Sequence, residues 1–201
     1  MSDSQLSRQQ IRQQVRLARR QLTPTEQTQA AEQLVSQVAN IPQLAQANAV
    51  ALYLANDGEL DPSPLINWYW SQGCHVYLPV LHPFCQGQLL FLRYQSDTPM
   101  HTNALGILEP KLDIRLLAPK NVLDIIYTPL VAFDDQGNRL GMGGGFYDRT
   151  LCQTAESSHV APSGPRAVGL AHDCQQVPAL PIASWDVQLV GVVTPSQYFS
   201  W

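Results

Sequence analysis

A chain of 201 residues with 45% hydrophobic and 14% charged residues can bury a proper core, which excludes a disordered segment. Its formal net charge of −4 argues against a general nucleic-acid binder. No apolar run reaches membrane-spanning length and no secretory segment follows Met1, so the expectation is a cytoplasmic protein with no membrane partner.

The first forty residues read as two helices. Ser7 with Gln10 has the form of a capping box, and Ile11, Val15, Ala18 and Leu22 then recur at helical spacing. Thr23, Pro24 and Glu26 open the second helix, whose apolar face of Leu34 and Val38 ends near Pro42. Short apolar runs follow, alternating with helical stretches. Ala49–Leu54 is a buried strand; Asp61-Pro62 opens a helix through Trp70 that Gly73 stops. Cys74–Leu78 is a strand ended by Pro79, and Leu89–Tyr94, Val122–Tyr127, Ala167–Ala171 and Val190–Val193 are four more. The segment Thr154–Pro165 reads as a flexible loop. This order predicts an α/β fold: a layered, Rossmann-like arrangement of a mostly parallel central sheet flanked by helices, with an N-terminal helical hairpin. One domain spans 1–201, with helices in 1–40 and the α/β core in 41–201. The four cysteines show no Cys-x-x-Cys spacing and the five histidines no His-x-x-x-His pair, so reduced thiols and no zinc site are expected.

The most informative stretch is Arg139-Leu-Gly-Met-Gly-Gly-Gly-Phe-Tyr-Asp-Arg149. Four of the twelve glycines, Gly141, Gly143, Gly144 and Gly145, fall within five residues. Without Cβ atoms the backbone N–H groups can converge on one point, a nest that binds oxyanions. A helix beginning at Phe146 adds its positive end. The loop fits neither the dinucleotide fingerprint, whose third small residue would be Phe146, nor a P-loop, since no lysine is present. Asp148 beside Arg149 sets a metal-type oxygen ligand next to a phosphate-type cation.

The first helix supplies Arg8, Arg12, Arg16, Arg19 and Arg20, five of the twelve basic residues. Arg8, Arg12 and Arg16 share a face at i, i+4 and i+8, where like charges repel unless they share an anion. Either this is a solvated face, or the helix folds over the glycine loop and adds arginines to a polyphosphate.

In order along the chain, several blocks resemble the 5-formyltetrahydrofolate cyclo-ligase (5,10-methenyltetrahydrofolate synthetase) family in its bacterial form. They are the basic first helix, Tyr53 with Gly58-Glu-Leu-Asp61, Leu78-Pro79, Gly106-Ile-Leu-Glu-Pro110 and Pro129-Leu-Val-Ala-Phe-Asp134. The glycine loop, Gly169-Leu-Ala171, Cys174-Gln-Gln-Val-Pro178 and Trp185-Asp186 complete them. The resemblance implies an ATP- and Mg²⁺-dependent ligase that phosphorylates the formyl oxygen of 5-formyltetrahydrofolate and closes the methenyl ring. ADP and phosphate are released, and the partner is a small reduced folate, with or without a polyglutamate tail. Carried onto this chain, it implies that Arg8, Arg12, Arg139, Gly141, Met142, Gly143, Gly144, Gly145, Phe146 and Tyr147 hold ATP. Tyr147 and Arg149 are the implied catalytic residues, Tyr53 and Glu59 face the folate, and Asp148 and Asp186 hold the metal. Some relatives carry lysine where this chain has Gly144 or Arg8, which leaves Arg149 as the candidate to meet the γ-phosphate.

Two other classes are compatible with the residues alone. A sugar-phosphate isomerase or acyl-CoA transferase on a similar scaffold needs a carboxylate near the phosphate, for which Glu109 and Asp134 are candidates. A non-catalytic module would use the arginine helix for nucleic acid and the loop for a regulatory nucleotide.

Overall fold

Both predicted N-terminal boxes close. In the computed structural model, which describes residues 6–155 and 164–201, Ser7 N donates to Gln10 Oε1 (2.9 Å) and Gln10 N returns to Ser7 Oγ (3.3 Å). Thr23 and Glu26 repeat the exchange at 2.8 and 3.3 Å. These caps begin α1 (Arg8–Arg20) and α2 (Pro24–Ala39). The single turn α3 (Pro42–Ala45) leads to β1 (Ala49–Ala51), α4 (Ser63–Ser71), β2 (His75–Leu81) and β3 (Leu89–Arg93). A small hairpin of β4 (Met100–Thr102) and β5 (Leu108–Pro110) follows, then β6 (Leu117–Ala118) and β7 (Ile125–Pro129). A second hairpin, β8 (Ala132–Phe133) and β9 (Arg139–Leu140), delivers the chain to α5 (Phe146–Ala155). The chain closes with β10 (Arg166–Leu170), β11 (Gly191–Val193) and β12 (Tyr198–Ser200). Most of the predicted 154–165 loop lies outside the described residues.

Eight strands form one sheet in the order β12-β11-β10-β7-β1-β2-β3-β6. The central five, β11 to β2, run parallel; antiparallel pairings add β12 at one edge and β3, then β6, at the other. One face is covered by α2 and α4 through Leu34, Val38, Leu65 and Tyr69 against Val50, Val76, Ile125 and Val168. The other face takes Leu151 of α5 with Ala51, Phe91, Ile126 and Val192. The two N-terminal helices bury different surfaces: α1 sets Ile11 and Val15 against Val131, Ala132 and Leu140 at the second hairpin. From β1 the chain crosses to β2 on one side and later returns to β7 on the other. The carboxyl ends of β1 and β7 therefore flank a topological switch point, where open α/β sheets bind ligands.

Three strand readings change. The strand from His75 does not end at Pro79 but runs to Leu81, pairing Pro79 with Phe91. Backbone groups alternate sides along a strand, and Tyr77 O already points toward β1, accepting from Leu52 N at 2.9 Å. Pro79 points the same way, but β1 has ended opposite Tyr77, so the missing N–H interrupts no ladder. The first strand stops at Ala51 rather than Leu54, and the fourth predicted strand starts at Ile125, with Val122 exposed before it.

Asp134, a candidate base in the rival reading, is instead an organiser of the second hairpin. Its buried carboxylate accepts from Gln136 N, Asn138 N, Asn138 Nδ2 and Leu180 N at 2.9–3.1 Å. Asp134→Ala leaves these donors unpaired, and we expect urea denaturation to show a loss of about 3 kcal/mol.

Candidate active site

A cleft of about 740 Å³ opens at the switch point, between the loops after β1 and β7, the glycine loop, α1 and the 181–186 segment. Every site residue inferred from the sequence lines it: Arg8, Arg12, Tyr53, Glu59, Arg139, the run Gly141 to Arg149, and Asp186. Asp134 does not line it; Glu109 does.

The floor is the loop between β9 and α5. Gly143 (φ 105°) and Gly145 (φ 64°) occupy the left-handed region that side chains disfavour. At Gly144 an added Cβ would come within 2.8 Å of the Phe146 ring, so a side chain there requires that ring to move. Arg149, itself in the cleft wall, secures the loop. Its Nε donates to Gly87 O (2.9 Å), its Nη2 donates to Gly144 O, and its guanidinium lies 5.8 Å from the Phe146 ring centre.

Three arginines point into this half of the cleft. Arg12 Nε donates to Gly141 O at 2.8 Å. Burial, and next the charge of Arg8, hold the Arg12 pKa below its ordinary value, with Asp186 acting the other way. Two guanidiniums that repel one helical turn apart are relieved by an anion shared between them. Arg8 donates to Pro181 O (2.9 Å) and pairs with Asp186, which also accepts from Ala183 N at 2.7 Å. Arg139 is almost wholly buried, pairs with Asp148 at 2.5 Å, and leaves its Nε without a partner. Asp148 and Asp186 are thus both held by arginines. Among the described residues no group of three or more His, Cys, Asp or Glu forms a metal cage.

The other half is set by Glu59, Tyr53 and Tyr147. Tyr53 Oη donates to Leu60 O at 3.0 Å, and Glu59 Oε2 accepts from Asn56 N at 3.1 Å. Burial, with the charge of Asp57, raises the Glu59 carboxyl to about 7 against the opposing Asn56 N–H and Arg19. Burial and then the charge of Glu59 raise both phenols as well. The folded state therefore keeps a proton on Glu59 between the ordinary value of 4.5 and about 7, while the unfolded chain has lost it. Stability falls with rising pH across that window and is level above it. Glu59→Gln removes the effect: denaturation at about pH 8 will show a gain on the order of 2 kcal/mol over the parent, vanishing toward about pH 4.

Several cleft residues escaped the sequence reading. The β4–β5 hairpin contributes Leu105 and Leu108, which with Met142 and Trp185 make an exposed apolar rim; Trp185 is 68% exposed. Glu109, a candidate carboxylate of the rival reading, is buried. Its Oε2 accepts from Leu81 N (3.0 Å), on the edge that β1 leaves open, and from Asn103 Nδ2 (2.9 Å). Asp57 gathers three arginines of α1. One signal was available: Arg19 stands four residues after Val15, in the apolar stripe, and is 0% exposed.

Fold and cleft together define an α/β protein with a cationic, glycine-floored cleft at the switch point of a mostly parallel sheet. The chain belongs to the 5-formyltetrahydrofolate cyclo-ligase family, whose model matches residues 4–195, and is an enzyme of that class. It is 49% identical over 187 residues to the 5-formyltetrahydrofolate cyclo-ligase of Escherichia coli, covering 93% of this chain and all of that one. The same-named protein of Haemophilus influenzae is 50% identical over 186 residues, 92% of this chain and 96% of the relative. The solved structure of Aquifex aeolicus 5,10-methenyltetrahydrofolate synthetase superposes with a TM-score of 0.79 at 27% identity, covering 96% and 92% of the two chains.

Proposed function

We propose that the whole chain acts as one catalytic unit converting 5-formyltetrahydrofolate to 5,10-methenyltetrahydrofolate at the expense of ATP, in the cytoplasm. The observation that carries this reading is the two-sided cleft: arginines and a glycine loop on one side, Glu59 with two phenols on the other.

On the cationic side, the unpartnered Nε of buried Arg139 and the left-handed glycines suit a polyphosphate. Arg8 and Arg12 add positive charge from α1, and Met142 and Phe146 flank the loop. Two carboxylates, Asp148 and Asp186, are too few for an all-protein metal cage but suit Mg²⁺, which retains waters and shares phosphate oxygens. When bound, Mg²⁺ supplies charge neutralisation to the phosphates.

On the other side, Glu59 titrates near neutrality and can donate or accept a hydrogen bond with a pterin edge, beside Tyr53. The apolar rim of Leu105, Leu108 and Trp185 suits the flat remainder of a folate. In the balanced reaction the formyl oxygen takes the γ-phosphoryl group and ADP leaves. The second folate nitrogen then attacks the activated carbon and gives up its proton, and the oxygen departs with phosphate. The chain's task is to hold that oxygen in line and to spread the developing charge over loop N–H groups and arginines. Tyr147 lies where the two halves meet, and Arg149 keeps the loop in shape at the γ-phosphate position.

Mixing the protein with 5-formyltetrahydrofolate and following methenyl absorbance in the near ultraviolet tests the reading. Product that forms only with Mg-ATP is the expected result. Product without ATP, or none with it, would remove the ATP-dependent ligase assignment.

A further inference from the structure

The five arginines of α1 divide into two sets. Arg8 and Arg12 reach the cleft, whereas Arg16, Arg19 and Arg20 converge on the carboxylate of Asp57. Arg16 Nε donates to Oδ2 at 2.7 Å and Arg19 Nη2 to the same oxygen at 3.0 Å. Arg20 Nε donates to Oδ1 at 3.0 Å, and Arg19 Nη2 also reaches the Asp57 carbonyl at 2.6 Å. Charge balance needs one cation, and exposed ion pairs stabilise little. What three arginines on one carboxylate achieve is a fixed geometry.

That geometry sets the turn before Glu59. Asp57 (φ 51°) and Gly58 (φ 72°) are successive left-handed residues that reverse the chain. Asn56 N to Glu59 Oε2 (3.1 Å) and Glu59 N to Asn56 O (3.0 Å) close the turn. Aspartate tolerates the left-handed region but does not prefer it over glycine, so the clamp supplies what the local sequence does not. Both Asp57 carboxylate oxygens are occupied by guanidiniums, which leaves the residue holding its turn rather than gripping a ligand. Burial pushes its carboxyl up, but hydrogen bonds from Arg16 and Arg20 and the charges of Arg16 and Arg19 outweigh it and hold it at about 2. The carboxylate is therefore charged at any working pH.

We propose that Asp57 is a positioning residue that fixes Glu59 to the helix carrying Arg8 and Arg12, so that one rigid rod sets the spacing of the two substrate half-sites. The proposal rests on the functional reading above. It makes a lopsided prediction. Arg8 and Arg12 keep their own anchors at Pro181 O and Gly141 O, and Ile11 and Val15 keep α1 packed, when Asp57 is altered. Among the described residues the Glu59 turn then keeps one main-chain tie to α1, from Arg19 Nη2 to the Asp57 carbonyl.

The test is calorimetric binding of 5-formyltetrahydrofolate and, separately, of a non-hydrolysable ATP analogue with Mg²⁺. Asp57→Asn keeps shape and tolerates the backbone while removing the charge. It should weaken folate binding roughly tenfold or more and change analogue binding by about twofold or less. The double variant Arg16→Ala/Arg20→Ala retains the buried Arg19 pair and alters only side chains outside the cleft. It should shift folate binding in the same direction by a smaller factor, and it decides the matter alone if Asp57→Asn does not fold. Equal loss of both ligands, or unchanged folate binding in the double variant, would overturn the positioning role. Wild-type protein that binds neither ligand would instead overturn the functional reading, a result visible before any variant is compared.

Discussion

Asp148→Asn will lower Mg-ATP-dependent turnover by about three orders of magnitude while leaving the protein folded. The fold survives because asparagine keeps the volume and one acceptor oxygen toward Arg139 and Val187 N, which approach Asp148 Oδ1 at 2.5 and 3.4 Å. Activity does not survive because the lost charge served two purposes. It balances a buried guanidinium, and in the proposed reaction it is one of the two carboxylates, with Asp186, offered to a hard cation. Raising Mg²⁺ should recover part of the rate in the variant if metal affinity is what fell. Turnover like the parent's at ordinary Mg²⁺ would remove Asp148 from the metal role.

The second large effect is expected at Arg12. Arg12→Ala should raise the Michaelis constant for ATP by roughly tenfold or more and that for the folate far less. The Nε is committed to Gly141 O, which orients the rest of the guanidinium over the glycine loop. An added Cβ at Gly143 would stand 3.7 Å from that guanidinium, so loop and arginine already lie in contact. Initial rates with each substrate varied in turn check this. A larger effect on the folate constant would move α1 to the other half of the cleft.

Much of this was legible before the structure because the signals were local. Capping boxes are written in four residues, glycine density marks a loop whatever surrounds it, and buried parallel strands are plain apolar runs. The two small hairpins were not legible, since β4, β5, β8 and β9 span two or three residues, too few for an alternation to register. Pro79 misled because its effect depends on where the neighbouring strand ends. The arginine helix was read correctly as amphipathic, but spacing grouped Arg16 with Arg8 and Arg12. Only the tertiary fold shows that Arg16 turns to Asp57 while Arg19, in the apolar stripe, does so from the inside. Likewise the perturbed Glu59 is a property of its neighbours, which no single-chain pattern records.

The contacts that complete the cleft join distant parts of the chain: Arg12 to Gly141 across 129 residues, and Arg8 to Asp186 across 178. During synthesis α1 leaves the ribosome well before its acceptors at Gly141 and Asp186 are made. The helix must therefore wait, with Ile11 and Val15 uncovered, until the second hairpin exists to receive it. The cleft is therefore complete only once the segment carrying Asp186 has been made, and until then a nascent chain carries a basic, half-apolar helix.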